Sequence, residues 1–179
     1  IPGVLLLAQS SAGQISMGFS DSAGNFSLSV LAGQWEITVE RGALASLGYV
    51  GLGDNATVSV STVTGNVSSV NLAASKANAL IYGTLKDNQT KPVLGIQVWA
   101  SESNWLYKTK GVSFASEGNF CLGVVAGSWN LGTEDEALAR LGYSSQGTSA
   151  SVGVNRASRL DITLQRVTAH LRGRLREAN

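Results

Sequence analysis

Apolar and polar residues alternate along most of this chain with a period of two. In the stretch GNFCLGVV, Phe120, Leu122 and Val124 fall on one face of an extended chain and the residues between them on the other. This period is typical of β-strands with one buried face. Turns rich in glycine separate such stretches. The pattern therefore predicts an all-β protein made of antiparallel sandwiches.

The pattern occurs twice, and the two copies correspond in sequence. GNFSLSVLAGQWEI begins at Gly24 and returns as GNFCLGVVAGSWNL at Gly118, while ALASLGY at Ala43 returns as ALARLGY at Ala137. An internal repeat of this length indicates tandem domains. The two ALxxLGY stretches are the only helix candidates, and we expect each to form one or two turns that cross between sheets.

The segment GTLKDNQTKPVLGIQVWA, followed by SEGNFCLGVVAGSW, resembles the carboxypeptidase regulatory-like domain. It is also similar to the B-type repeats of bacterial collagen-binding adhesins. The residues that carry this resemblance are Gly83, Leu85, Asp87, Pro92, Gly95, Ile96, Val98, Ala100, Gly118, Phe120, Gly127 and Trp129. The resemblance implies tandem antiparallel sandwiches of the transthyretin-like or Ig-like kind, each of about seven strands, in a secreted or surface-displayed bacterial protein. It says almost nothing about activity.

The resemblance also implies domain boundaries. Residues 77–166 form one complete sandwich, the second unit. Residues 1–74, the first unit, form a sandwich that lacks its first strand. Residues 167–179, the tail, are the first strand of a further domain or a donor strand, because AHLRGRL at Ala169 matches ALIYGTL at Ala79.

The tail has the pattern of a strand that is apolar on one side and cationic on the other. Leu171, Gly173 and Leu175 alternate with His170, Arg172, Arg174 and Arg176. We expect this donor strand to complete the head of a neighbouring copy by strand addition. The acceptor head is predicted at Val4, Leu5, Leu6 and Leu7.

Three arrangements of the tail fit the sequence. The 179 residues are an excerpt of a longer tandem array, or the tail of one copy inserts into the head of the next. In the third arrangement the tail folds back into its own head, which the intervening unit makes awkward. Repeated head-to-tail insertion without closure builds a filament.

Several apolar residues fall on the outward face of their predicted strands. Leu5, Leu7 and Trp99 do so, which predicts a face covered by a neighbour or by the ALxxLGY turn. Trp105 and Tyr107 would share a strand face and, with Trp99, would form a glycan or lateral contact.

Charge and candidate chemistry exclude several classes of function. The net charge is +1, with four acidic residues and one arginine in residues 1–75 but six arginines and two acidic residues in 156–179. This excess is too small to favour nucleic-acid binding. The single histidine and single cysteine form no catalytic or metal-binding set, and no apolar run is long enough for a membrane helix. We therefore predict no catalytic residue, no metal and no cofactor.

The sequence thus favours a non-enzymatic structural subunit of an extracellular filament, stalk or tandem-repeat surface protein. Its partners would be identical subunits or adjacent repeats, joined head to tail by β-strand complementation. The alternative is a spacer or carbohydrate-binding accessory module of a larger secreted enzyme or adhesin, whose partner would be a polysaccharide.

Overall fold

The computed structural model of the protein describes residues 1–53, 57–174 and 176–177. The prediction of an all-β protein with antiparallel sheets is confirmed. Up to residue 76 the elements are β1 (Leu5–Ser10), β2 (Ile15–Phe19), β3 (Gln34–Val39), α1 (Arg41–Ser46), β4 (Tyr49–Leu52), β5 (Thr57–Ser61) and β6 (Ala74–Lys76). After it they are β7 (Ala79–Asp87), β8 (Gln97–Glu102), β9 (Tyr107–Val112), β10 (Asn119–Val124), β11 (Gly127–Thr133), α2 (Asp135–Arg140), β12 (Tyr143–Ser144), β13 (Thr148–Val152), β14 (Ala157–Arg159) and β15 (Ile162–Arg166).

The strands form three sheets among the described residues. One has the order β2-β1-β3-β5, and a second has the order β10-β7-β15-β12 with β14 also on β7. The third has the order β13-β11-β8-β9-β4-β6. Neighbouring strands run antiparallel, except that β14 and β15 run parallel to β7.

The second unit encloses its core between two of these sheets. Trp129 and Leu131 on β11 face Ile81 and Leu85 on β7 and Phe120 on β10, and all five are fully buried. The Trp129 indole satisfies its polar atom by donating Nε1–H to the carbonyl of Val125 at 2.9 Å. Alternation of apolar residues with polar ones therefore produces the buried face that the sequence predicts.

The first unit repeats half of this arrangement. The sheet β2-β1-β3-β5 carries a core cluster of Ala8, Trp35 and Ile37, and Trp35 Nε1–H donates to Leu31 O at 3.0 Å as Trp129 does to Val125. The facing segments Phe26–Val30 and Val70–Leu72 pack against this cluster but are only half-buried at their apolar positions.

The two short helices lie in the predicted stretches, and the first of them helps to hold the units together. Glu40 caps α1, where its carboxylate accepts from Ala43 N–H at 2.6 Å, and it also pairs with Lys110 Nζ of the second unit at 2.5 Å. Next to this pair, β4 continues the sheet of β9 through Gly51 opposite Lys108. The contact between the units is therefore a sheet joint reinforced by an ion pair.

We expect Phe120→Ala to lower the free energy of unfolding by about 3–5 kcal/mol, because the change leaves a cavity in a close-packed core. Phe19, on edge strand β2, is 67% exposed, so Phe19→Ala should stay within about 0.5 kcal/mol of the unaltered protein. Denaturant unfolding of the three proteins measures both values. Equal losses for the two variants would contradict the assigned core.

Candidate functional site

In the second unit, β7 is the central strand of its sheet. It runs antiparallel to β10, with Gly83 opposite Phe120 and Ile81 opposite Leu122, and parallel to β14 and β15 on its other side. Both of its edges are hydrogen-bonded, and its inward side chains fill the space below Trp129. No described strand of the first unit pairs with the segment that corresponds to β10.

The counterpart of β10 in the first unit is the segment 25–30, and it has no strand partner. Phe26, Leu28 and Val30 are half-buried there, whereas their counterparts on β10 are fully buried. Within the described residues, the backbone groups of residues 26–30 make no backbone–backbone hydrogen bond. A segment with strand-like alternation therefore keeps its backbone outside any strand pairing.

A groove opens between this segment and residues 65–71. It has a volume of about 900 Å³, its walls are residues 24–32 and 65–71, and the base includes Ala8, Trp35 and Ile37. We call it the strand slot. A separate cavity of about 70 Å³ touches Val4, Leu6 and Phe26 on one side and Leu44 and Leu72 on another. One wall of the slot, residues 25–30, matches β10 in the internal repeat, and β10 pairs with β7 in the second unit.

The structure places the predicted acceptor residues beside the slot and not at its open edges. Val4 and Leu6 are buried and line the small cavity, while Leu5 and Leu7 point to the other face of β1. β1 is hydrogen-bonded on both sides, by β2 and β3, so it has no free edge to accept a strand. Residues 26–30 and 66–71 line the slot and make no backbone–backbone hydrogen bond among the described residues, and the apolar pattern did not indicate them. The internal repeat contains the signal, because it matches 25–30 to β10, the direct neighbour of β7.

The described part of the tail is extended, exposed and unpaired. Residues 167–174 and 176–177 belong to no strand, Leu171 is fully exposed, and a Cβ added at Gly173 would have no heavy atom within 4 Å. His170, Arg172, Arg174 and Arg176 are likewise exposed. Leu175, the remaining predicted donor residue, lies outside the described residues.

The three aromatic residues predicted as a glycan contact do not share a face. Trp99 lies on the outer face of β8, over Gly132, and its Nε1–H donates to Thr133 O at 3.1 Å. Tyr107 packs against the core on the inner side of the same sheet. Trp105 is 58% exposed in the turn between β8 and β9, where a positive φ of 64° takes it out of strand alternation. The three aromatic side chains therefore do not form one contact surface, because the turn at Trp105 interrupts the strand alternation and Trp99 and Tyr107 lie on opposite faces of the sheet.

The outward apolar positions of the first unit form a continuous patch. Leu5 lies opposite Phe19 and Leu7 opposite Met17, and Ile15 extends the row along β2. Ile15, Met17 and Phe19 are each about two-thirds exposed. Helix α1, the alternative cover, packs beside β4 and β9 instead. The neighbouring-copy interpretation of this face thus stays a prediction.

The carboxylate of Asp87, at the end of β7 in the second unit, is buried. Its Oδ1 accepts from the backbone N–H groups of Gln89 and Lys91 at 2.9 and 2.8 Å. Its Oδ2 accepts from Arg166 Nε at 3.1 Å and from the Tyr143 hydroxyl at 3.3 Å. Burial by itself would raise the pKa of Asp87, but these hydrogen bonds outweigh it and hold the pKa below its ordinary value.

The other titratable groups offer no catalytic arrangement within the described residues. Burial raises the pKa of the Cys121 thiol, which makes this side chain a poorer nucleophile. In the described ranges, no group of three His, Cys, Asp or Glu residues is placed to hold a metal ion. None of the helices described is long and apolar enough to cross a membrane.

Comparison with protein families and with curated proteins yields no match. Among solved structures, the chain resembles the E269A mutant of the shaft pilin SpaA from Lactobacillus rhamnosus GG, at 12% identity and a TM-score of 0.41, over 96% of this chain and 87% of that one. It resembles the group B streptococcus pilus 2b backbone protein at 13% identity and a TM-score of 0.42, over 93% and 79%. It also resembles the Bacillus anthracis TIE protein at 12% identity and a TM-score of 0.41, over 92% of this chain but only 30% of that one. Such likenesses do not establish a family, and the fold defines the protein only as an all-β protein of antiparallel sandwiches.

We expect Asp87→Asn to lower the unfolding temperature at neutral pH, because the amide cannot accept all the hydrogen bonds that the carboxylate accepts. The folded-state pKa of Asp87 lies below its unfolded value of about 4, so its contribution is complete above that pH and disappears as the pH falls through the folded-state pKa. Thermal unfolding at several pH values should therefore show a difference between the two proteins that narrows below about pH 4. A difference that stays constant down to about pH 2 would contradict a stabilising charge at this position.

Proposed function

We propose that the protein is a structural subunit of an extracellular filament, stalk or tandem-repeat surface protein. In this proposal the tail of one copy lies in the strand slot of the next and completes its first unit. The observation that carries the proposal is the slot itself, a groove of about 900 Å³ where the second unit has its central strand.

The exposed edges of the slot support a strand as its occupant. Residues 26–30 make no backbone–backbone hydrogen bond among the described residues. An added strand would pair with their N–H and C=O groups as a neighbouring strand in a sheet does. Each such bond contributes about 0.5–1.5 kcal/mol net. The half-buried Phe26, Leu28 and Val30 would also become buried, as their counterparts on β10 are. An extended peptide in the slot would therefore provide both the backbone hydrogen bonds and the apolar burial.

The chemistry of the tail supports this same chain as the source of that strand. Leu171 and Gly173 correspond to Ile81 and Gly83, the inward positions of β7. Leu171 is fully exposed in the single chain, and the apolar lining of the slot would bury it. On the opposite face, Arg172 corresponds to the exposed side chain at position 82 of β7 and would remain in water.

The observed strand pairings are compatible with joining two copies. In the sequence, the whole second unit separates the tail, which follows β15, from the residues of the slot. Among the described residues, the tail makes no strand pairing with its own first unit. A head-to-tail contact that does not close on itself generates an open polymer. Adjacent covalent repeats would place the same strand in the same slot. Either arrangement is a structural element of a surface or an extracellular assembly.

We expect Leu171→Asp to abolish assembly. The change removes about 2 kcal/mol of apolar burial, which alone weakens the contact about 30-fold, and it adds the cost of burying a carboxylate. Leu141→Asp is the matched control, because Leu141 is an exposed leucine at the end of α2 and away from the slot. Negative-stain electron microscopy and sedimentation of the three proteins give the measurement, with circular dichroism to verify folding.

Filaments from the unaltered protein and the control, but not from Leu171→Asp, would support strand donation. Filaments from all three would rule out the tail as the donor. Monomers that do not assemble, and whose tryptophan fluorescence responds to a polysaccharide, would support the accessory-module function instead.

A further inference from the structure

The buried carboxylate of the second unit depends on two side chains that face each other across a strand pair. Tyr143 on β12 lies opposite Arg166 on β15, and together they hold Asp87 Oδ2. Asp87 lies at the end of the central strand, so this contact ties the end of β7 to β12 and β15. The Arg166 guanidinium also lies 5.6 Å from the centre of the Tyr143 ring.

The first unit has the same pair without the carboxylate. Tyr49 ends the stretch ALASLGY as Tyr143 ends ALARLGY, and Lys76 ends NLAASK as Arg166 ends DITLQR. Tyr49 on β4 lies opposite Lys76 on β6, the same cross-strand pairing as in the second unit. Lys76 is exposed and Tyr49 is partly exposed. No hydrogen bond or ion pair joins either side chain to another described residue.

The tail places a carboxylate at the matching position. When AHLRGRLRE is laid on ALIYGTLKD, Gly173 falls on Gly83 and Glu177 falls on Asp87. The glycine fixes this alignment, because a Cβ at Gly83 would lie 1.8 Å from the carbonyl oxygen of Leu160. Gly173 is the only glycine in the sequence between residues 167 and 177, and Glu177 is the only acidic residue of the tail.

We propose that Tyr49 and Lys76 form an anion seat that receives the Glu177 carboxylate of a neighbouring copy. The inference rests on the proposed function and adds to it the register and direction of the docked strand. In this register, the strand runs antiparallel to residues 25–30 with Leu171 opposite Leu28 and Gly173 opposite Phe26. The same positions of β7, residues 81 and 83, lie opposite residues 122 and 120 of β10.

The seat and the glycine together exclude other registers. A shift by one residue would turn the arginines of the tail into the apolar slot. A shift by two would keep the apolar face inward. It would, however, place a leucine of the tail, Leu171 or Leu175, at the position that corresponds to Gly83, where the backbone approach leaves room only for glycine. It would also move Glu177 about 7 Å from Lys76, at about 3.3 Å per residue along the strand. Lys76 would then lose the only acidic side chain in residues 167–179.

A charge exchange tests this seat in the full chain. We expect Glu177→Lys and Lys76→Glu each to raise the concentration needed for assembly about five- to tenfold, since each places like charges together in a partly exposed contact. The double variant restores an opposite pair, so it should recover most of that loss. Tyr49→Phe should cause a smaller loss of its own. Glu134→Lys is the matched control, because Glu134 is exposed and its side chain makes no capping hydrogen bond.

Sedimentation at low and high salt is the measurement, and the single variants should differ least from the unaltered protein at high salt. If the losses of the two single variants simply add in the double variant, the seat is overturned while strand donation stands. If the unaltered protein forms no assembly, the proposed function and the seat both fail. If Leu171→Asp blocks assembly but neither charge variant does, the seat is overturned and the slot is used in a different register.

Discussion

Backbone hydrogen bonding between neighbouring strands is the constraint on which the rest of this structure depends. A strand buried in a sandwich must pair along both edges, because an unpaired N–H or C=O group away from water costs free energy comparable to a lost hydrogen bond. In the second unit β7 meets this need for β10, β14 and β15 at once. In the first unit no described strand does so, and residues 26–30 stay outside any sheet although their side chains alternate as those of β10 do.

The two units also differ in burial. Ile81 and Leu85 of β7 fill the centre of the second unit, where Phe120 and Trp129 are fully buried. The first unit has the same sheet behind its core and the same indole hydrogen bond at Trp35, yet its facing side chains are only half-buried. A strand that restored the pairing would therefore also close the core. In the proposed assembly, folding of the first unit and association with a partner would be one process, because burial and sheet closure would depend on the same segment.

Sequence alone predicted most of the fold, and for a physical reason. The period-two alternation, the repeated GNFxLxVxAGxW stretch and the short ALxxLGY helices are local signals, and most of them correspond to an observed strand or helix. The acceptor was harder, because Val4–Leu7 has the pattern of an apolar strand but says nothing about which edges of that strand are already paired. Edge pairing is a property of the topology. The position of Trp105 was also missed, because a positive φ in the turn after β8 breaks the alternation that placed it beside Tyr107. The Tyr49–Lys76 pair depends on the register of β4 against β6, which no local sequence pattern encodes.

Hydrogen–deuterium exchange of residues 25–31, measured in the separated subunit and in the assembled material, tests the central claim most directly. The account predicts fast exchange of the amides of residues 26–30 in the separated subunit, where they have no backbone partner among the described residues, and strong protection in the assembly. The amides of β10, already paired with β7, should be protected in both states and provide the internal reference. Exchange at residues 26–30 that stays as fast in the assembly as in the separated subunit would show that no strand enters the slot.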